Sequence, residues 1–465
     1  MKTLLIQPPL YNIARYGKPV VAPYGPPLGI GYIAAYLEKL GLPVLAVDAS
    51  YLKWEEVERL LLSEAPDIVG VTCLSEQRSS SFRLAKRAKA LLPSCKTILG
   101  GVHGNFMYRQ ILTHFPFDAV VLGEGEITTA EIIEALGAGR PLSSVPGLAC
   151  VEGGKVVLSP PRRVLDRLDD LPFPGHRFFR GSRYVRYALL YGRFEGKDLG
   201  KLKFMPVITS RGCVKHCEFC STTEFWSGRW RHRSPENVAD ELEWLIRDLG
   251  VGFVNFADDI FTVNEKFVTS LCEEILRRKL AFLWDCETHA QFVSPEILRI
   301  MKQAGCMAIA YGVESGSDAI LSNIHKGSSR ALVEQAIRLT REAGIRSSVL
   351  LMVGNPGESE ATVSETLSLL KETEPDYLTV SITMVFPGTS LHKRAEKKGW
   401  IKDDYWLTDR PGPYYTVEHP FGKLQKWQDS LLAAHSRGME RWARRVRSAV
   451  ERLTGLRITR RHFGF

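Results

Sequence analysis

An α/β protein with two parallel-sheet bodies is predicted by three features of the chain. Short apolar runs alternate with helical stretches over the first 140 residues. A second alternating block runs from about Phe204 to Thr383, and a proline-rich stretch lies between the two. The first block predicts a doubly wound sheet. The second has about six β/α units and no long antiparallel section, so it predicts a partial (β/α) barrel. The expected division is residues 1–145, a linker with a β-hairpin over 146–203, the barrel over 204–390, and a small, mainly helical C-terminal region over 391–465.

In the first block, strands are expected at Thr3–Ile6, Val44–Val47, Ile68–Val71, Thr97–Leu99 and Ala119–Leu122. Helices are expected at Leu28–Leu40, Trp54–Ser63, Ser80–Leu92, Asn105–His114 and Glu126–Leu136. The strand-end turns are built from small residues, as at Pro26-Pro27-Leu28-Gly29, Gly100-Gly101-Val102-His103 and Gly123-Glu124-Gly125-Glu126. A doubly wound sheet binds its ligands at those ends. In the linker, Leu148–Val151 and Lys155–Leu158 flank Glu152-Gly153-Gly154, which predicts a hairpin. Strands of the second block are expected at Pro206–Thr209, Phe253–Phe256, Phe282–Asp285, Ala308–Tyr311, Ser348–Met352 and Tyr377–Val380. Ser234 and Glu236 mark the start of a helix over Pro235–Leu249.

Composition excludes several classes. The 465 residues are 45% hydrophobic and 24% charged, ordinary for a globular chain and unlike a collagenous or disordered one. No apolar run approaches the roughly 18 residues of a membrane span. The apolar run of MKTLLIQPPL is too short for a signal peptide, so the cytoplasm is the expected compartment. The formal charge is +9, but from Gly422 onward 11 basic residues meet 3 acidic ones, which leaves the rest at +1. A cationic nucleic-acid-binding body is therefore not expected. In the tail, Met439, Trp442, Val446, Ala449, Val450 and Leu453 recur at helical spacing among arginines. That predicts a basic amphipathic helix, either docked on the barrel or in peripheral contact with anionic lipid.

Nine cysteines are present, and six are scattered as expected of buried thiols. Cys213, Cys217 and Cys220 cluster, in Ser210-Arg211-Gly212-Cys213-Val214-Lys215-His216-Cys217-Glu218-Phe219-Cys220. This CxxxCxxC follows the first strand of the second block. Three thiolates hold three irons of a 4Fe-4S cluster and leave the fourth open, since closed clusters take four. The competing assignment is zinc held by the same three cysteines and His216.

At these residues the chain resembles the radical S-adenosylmethionine (radical SAM) enzymes. The resemblance implies that S-adenosylmethionine chelates the open iron of the cluster and is cleaved to a 5′-deoxyadenosyl radical. It further implies that Phe219, Ala257, Asp258, Asp259, Glu314, Ser315, Val353 and Gly354 surround S-adenosylmethionine. Ala257-Asp258-Asp259 departs from the family's usual Gly-Gly-Glu, which leaves the separate roles of the two acids open. The strand-end turns of the first block resemble the cobalamin-binding subfamily, with a Rossmann- or flavodoxin-like domain. This implies cobalamin beside Leu28, Gly29, Ser75, Glu76, Gly100, Gly101, His103, Gly123, Glu124 and Glu126. His103 lacks the surrounding Asp and Gly of the cobalt-ligating Asp-x-His-x-x-Gly motif, so it is expected at the corrin edge or satisfying a turn.

The resemblance implies methylation of an unactivated carbon or phosphorus centre in a small-molecule or lipid-like substrate. One S-adenosylmethionine would give its methyl group to reduced cobalamin and another would yield the radical. Electrons would come from a donor such as flavodoxin or ferredoxin. Radical cyclisation, C–C coupling or ring rearrangement, with or without bound cobalamin, is the enzymatic alternative. A cobalamin-binding sensor or carrier is the non-enzymatic one, and the cysteine triplet argues against it. Methylthiolation of tRNA is disfavoured because the N-terminal block has no second three-cysteine group.

Overall fold

The computed structural model describes residues 1–9, 14–15, 18–19, 25–179, 193–410 and 412–435. The predicted amphipathic tail helix lies outside the described residues.

The first body is a sheet in the order β2-β1-β3-β4-β5-β6-β7. Its strands are β1 (Thr3–Gln7), β2 (Val44–Asp48), β3 (Ile68–Thr72), β4 (Lys96–Gly100), β5 (Ala119–Val121), β6 (Leu148–Glu152) and β7 (Lys155–Leu158). The first five are parallel, and the last two are antiparallel. Helices α1 (Leu28–Lys39), α2 (Trp54–Glu64), α3 (Arg78–Leu91), α4 (Val102–His114) and α5 (Glu126–Gly137) make the crossovers. Neighbouring residues show why the strands read as unbroken apolar runs. Leu4 and Ile6 pack in one core cluster and Leu5 in another, so both faces of the sheet are covered. The hairpin expected in the linker instead extends this sheet, with Ala119 pairing Cys150. The apolar run Leu148-Ala149-Cys150 is fully buried there, on both faces of the sheet, which a free linker could not provide.

The second body is an all-parallel, six-stranded sheet in the order β8-β11-β12-β13-β14-β15. In chain order it comprises β8 (Lys203–Val207), the short strand β9 (Ser210–Arg211), α6 (Thr222–Phe225) and β10 (Arg231–His232), which pairs with β9. There follow α7 (Pro235–Arg247), β11 (Val251–Phe256), α8 (Glu265–Arg277), β12 (Leu283–Thr288), α9 (Pro295–Gln303) and β13 (Cys306–Glu314). The sheet closes with α10 (Asp318–Asn323), α11 (Arg330–Glu342), β14 (Arg346–Val353), α12 (Glu360–Thr373), β15 (Tyr377–Ile382) and α13 (Ser390–Lys397). This is the expected partial barrel. Ser234 caps α7 by accepting from Asn237 N at 3.2 Å, with Pro235 in the first turn. Residues 421–435 are helical and pack Leu424 and Trp427 into the barrel core.

The first barrel strand starts and ends earlier than the expected Pro206–Thr209. From Thr209 the backbone donates to a side chain instead of a neighbouring strand, as described below. The six scattered cysteines are all buried. No helix among the described residues is long and apolar enough to cross a membrane.

Candidate functional site

The carboxyl ends of both sheets face one another across a cavity of about 390 Å³. One wall carries Gly29, Gly100, Gly101, Gly123, Glu124 and Glu126 of the first body. The other carries Ser210, Arg211, Thr222, Trp226, Ala257 and Asp259 of the second.

The cysteine loop is held from both sides. Asp258 is buried, and its Oδ1 accepts from Thr209 N at 3.1 Å, Thr209 Oγ1 at 3.0 Å, Ser210 Oγ at 2.5 Å and also Ser210 N. Burial raises its carboxyl pKa to about 6 despite those donors. Asp258 is thus a bracket that turns the chain out of β8 into the loop. Gly212 has φ +101°, and a Cβ there would lie 2.0 Å from the Arg229 carbonyl oxygen. Only glycine lets the two segments pass this closely.

Cys213, Cys217 and Cys220 are partly exposed at the loop surface, while His216 is exposed. Burial raises the Cys213 thiol, and raises Cys217 to about 11, partly offset by the Lys326 ammonium. Each of these two thiols feels the charge of Cys220, so the three share one neighbourhood. Among the described residues no three His, Cys, Asp or Glu side chains close around a single ion. A cubane is held differently, since each thiolate reaches its own iron, and it draws the thiols into ionised form. The donor set fits a 4Fe-4S cluster with one open iron.

Asp259 and Ala257 are the residues of the β11 turn that meet the cavity. Asp259 is open to solvent yet ringed by protein atoms, and that surrounding raises its carboxyl pKa. Glu287, at the end of β12, is raised in the same way by burial and by the neighbouring Glu314 and Asp259. A carboxylate group at these strand ends suits the cationic amine of S-adenosylmethionine. Glu314 has φ +67° and is buried in an ion pair with Lys326 Nζ at 2.8 Å. Phe219 lies beneath that ammonium, 5.8 Å from its ring centroid.

Other expected contacts serve the fold. Ser315 is fully buried, and its Oγ lies 3.4 Å from Thr366 Oγ1 and accepts from Ser317 N. Val353 is buried, and Gly354 (φ +83°) lies where a Cβ would come within 2.9 Å of Leu424. The Gly354 and Asn355 amides both donate to Glu358, whose burial raises its pKa to about 7.

On the opposite wall, a Cβ built at Gly29, Gly100 or Gly123 meets nothing within 4 Å. These positions leave an open shelf across the strand ends on which a flat macrocycle fits flush. Leu28, Ser75, Glu76 and His103 do not line the cavity. Leu28 packs with Tyr32 and Leu171. His103 is 1% exposed, its Nδ1 lies 3.0 Å from Ser75 Oγ, and its ring lies 5.5 Å from Trp406. Burial, with Arg78 and His392 nearby, lowers its pKa to about 3. Its Nδ1 thus ties the turn together, while its buried Nε2 has no hydrogen-bond partner among the described residues. Trp406 itself is fully buried in the first body's core.

Sequence reading missed Arg211 and Arg231. Glu124 Oε1 accepts from Arg211 Nη1 at 2.7 Å, and Glu126 Oε1 accepts from Arg211 Nη2 at 2.5 Å. Glu124 Oε2 lies 3.0 Å from Arg231 Nη1. Burial raises the Glu124 carboxyl, but the two guanidinium groups outweigh it and hold the pKa below the usual carboxylate range. The adjacency of Arg211 to the cysteine loop was the available signal.

With this geometry, the comparisons with known proteins define the class. Residues 207–370 match the Radical SAM superfamily, and residues 19–133 match the B12 binding domain. The chain belongs to the radical SAM enzymes that carry a B12 binding domain ahead of the barrel, and its cofactors are a 4Fe-4S cluster, S-adenosylmethionine and cobalamin. It is similar to a protein of Pyrococcus horikoshii named as an uncharacterized methyltransferase, 30% identical over 93% of this chain and 90% of that one. It is also similar to the anaerobic magnesium-protoporphyrin IX monomethyl ester cyclase of Rubrivivax gelatinosus, 29% identical over 87% of this chain and 71% of that one. Among solved structures, the radical SAM methyltransferase TsrM of Kitasatospora setae superposes with a TM-score of 0.70 at 20% identity, over 91% of this chain and 82% of that one. That likeness is one of fold.

Proposed function

We propose that this enzyme is a cobalamin-dependent methyltransferase acting on an unactivated carbon or phosphorus centre of a small-molecule or lipid-like substrate. What supports this reading is the cavity where the carboxyl ends of both sheets meet, with the glycine shelf on one wall and, on the other, the Asp259 turn and the residues that flank the cysteine loop, Ser210-Arg211 and Ser221-Thr222. When bound, the cluster with S-adenosylmethionine supplies a 5′-deoxyadenosyl radical, and cobalamin supplies a methyl group. The chain's own residues place these groups. Asp258 and Gly212 fix the cysteine loop, and Asp259 offers a carboxylate to a cationic amine. Gly29, Gly100 and Gly123 keep the shelf flat, while Ile208, Phe225 and Trp226 give the opposite wall an apolar surface. Electrons come from an external donor. The name of the Pyrococcus horikoshii relative supports methyl transfer.

The second reading, radical cyclisation, is supported by the name of the Rubrivivax gelatinosus relative and the length over which it matches. One experiment separates the two. Anaerobically purified protein is given S-adenosylmethionine with an isotope-labelled methyl group, plus a reductant. Label appearing on the bound corrinoid, together with 5′-deoxyadenosine, is the expected result. Formation of 5′-deoxyadenosine with no label on the corrinoid would overturn methyl transfer in favour of cyclisation.

A further inference from the structure

Four charged side chains join the two bodies at the rim of the cavity. Glu124 and Glu126 flank Gly125 in the turn beside the shelf, and Arg211 immediately precedes Gly212-Cys213. Arg231 reaches the same point from β10, the strand paired with Arg211. All four side chains are between 5% and 8% exposed. The Trp226 ring centroid lies 5.7 Å from both guanidinium groups, and Tyr32 lies 5.2 Å from that of Arg211.

We infer that this Glu124–Glu126–Arg211–Arg231 cluster is a positioning device that sets the separation of the cysteine loop from the cobalamin shelf. The inference rests on the reading that both cofactors act across this cavity. Three arguments support it. First, buried ion pairs are poor sources of stability compared with apolar packing, but their geometry is directional. Second, the four charges cancel only when the bodies are docked. At a partial separation one wall would hold two guanidinium groups and the other two carboxylates, still partly desolvated but no longer well paired, so intermediate separations are penalised. Third, transfer between two bound groups tolerates little error, since about 1 Å of misplacement can cost a hundredfold in rate.

The cluster has a node. Glu124 meets both arginines and also accepts from Leu165 N at 2.7 Å. Nε and Nη2 of Arg231 have no partner among the described residues. Without Glu124, Arg231 keeps only the Leu165 carbonyl. Glu126, by contrast, meets Arg211 alone among these arginines.

The test uses the full chain, purified anaerobically with cobalamin and reconstituted with iron and sulfide. Pulsed electron paramagnetic resonance reads the distance distribution between the reduced cluster and paramagnetic cobalt, and hydrogen exchange reads the amides of 122–127 and 208–213. Glu124→Gln is expected to widen the distance distribution at least twofold and to speed exchange about tenfold in both segments together. Glu126→Gln is expected to do less. The double variant Glu124→Gln with Arg231→Met removes both charges and keeps the Arg211–Glu126 pair, so it is expected to lie closer to wild type than Glu124→Gln alone. Iron content should be retained in all three, which a loss of folding would not allow. An unchanged distribution in Glu124→Gln, faster exchange in one segment only, or additive effects in the double variant would overturn the inference. A wild-type protein that takes up no corrinoid would instead defeat the functional reading, and the exchange data alone would then uphold or overturn the positioning device.

Discussion

Gly212→Ala is the substitution that most directly probes how the chain prepares its cluster loop. A Cβ at this position would lie 2.0 Å from the carbonyl oxygen and 3.0 Å from the carbonyl carbon of Arg229. Ordinary contact would need a retreat of roughly 1 Å or more, and the obstacle is backbone, so overpacking adds about 1–3 kcal/mol. The φ of +101° adds about 1–3 kcal/mol more for an L-residue. The total, roughly 2–6 kcal/mol, falls on one loop and competes with a stability of about 5–15 kcal/mol for a domain. The loop should therefore yield before the barrel does. Gly228→Ala is the control, because that residue has φ +68° but no atom within 4 Å of its Cβ position. Iron and sulfide analysis after reconstitution is the assay, with urea unfolding alongside. Gly212→Ala should hold less than about a third of the wild-type iron, and Gly228→Ala should hold nearly all of it. Wild-type iron content in Gly212→Ala, or equal losses in both variants, would mean that the close approach of Gly212 to Arg229 does not shape the loop.

Asp258→Ala and Asp259→Ala should separate two roles: the first loses iron because Thr209 and Ser210 are released, and the second keeps iron but binds S-adenosylmethionine about tenfold more weakly by calorimetry. Gly100→Leu should fill the shelf and lower corrinoid content below about a tenth of wild type while iron is retained. His103 predicts a pH effect on stability. Its folded pKa of about 3 lies below the ordinary value of 6.5, so its stabilisation is present above pH 6.5 and declines as the pH falls through that value toward 3. Between pH 7 and 5.5 the wild-type protein should lose about 1 kcal/mol that His103→Gln does not, read by urea unfolding.

Much of this architecture was legible because its signals are local. Each parallel strand reads as an apolar run, since Leu4 and Leu5 are buried on opposite faces. The cysteine triplet is contiguous and sits at a strand end. What escaped was long-range pairing. Glu124 and Glu126 are expected beside cobalamin from the sequence, but their arginine partner is 87 and 85 residues away. Asp258 looks like a ligand-binding acid until Thr209 and Ser210, 49 and 48 residues before it, claim its oxygens. His103 belongs to a glycine-rich turn that suggests a cofactor, yet a tryptophan from the far end of the chain covers it. The early end of β8 has the same origin, since its expected last residue, Thr209, is drawn to Asp258. In each case the residue type is visible in the sequence, and its tertiary partner is not.

In the proposed function, a corrinoid on the glycine shelf and an open-iron cluster act together across the cavity. The measurement that tests it most directly is the corrinoid and iron content of wild-type protein purified without oxygen from cells supplied with cobalamin. About one corrinoid per chain together with a full cluster is expected. A full cluster with no corrinoid would contradict it.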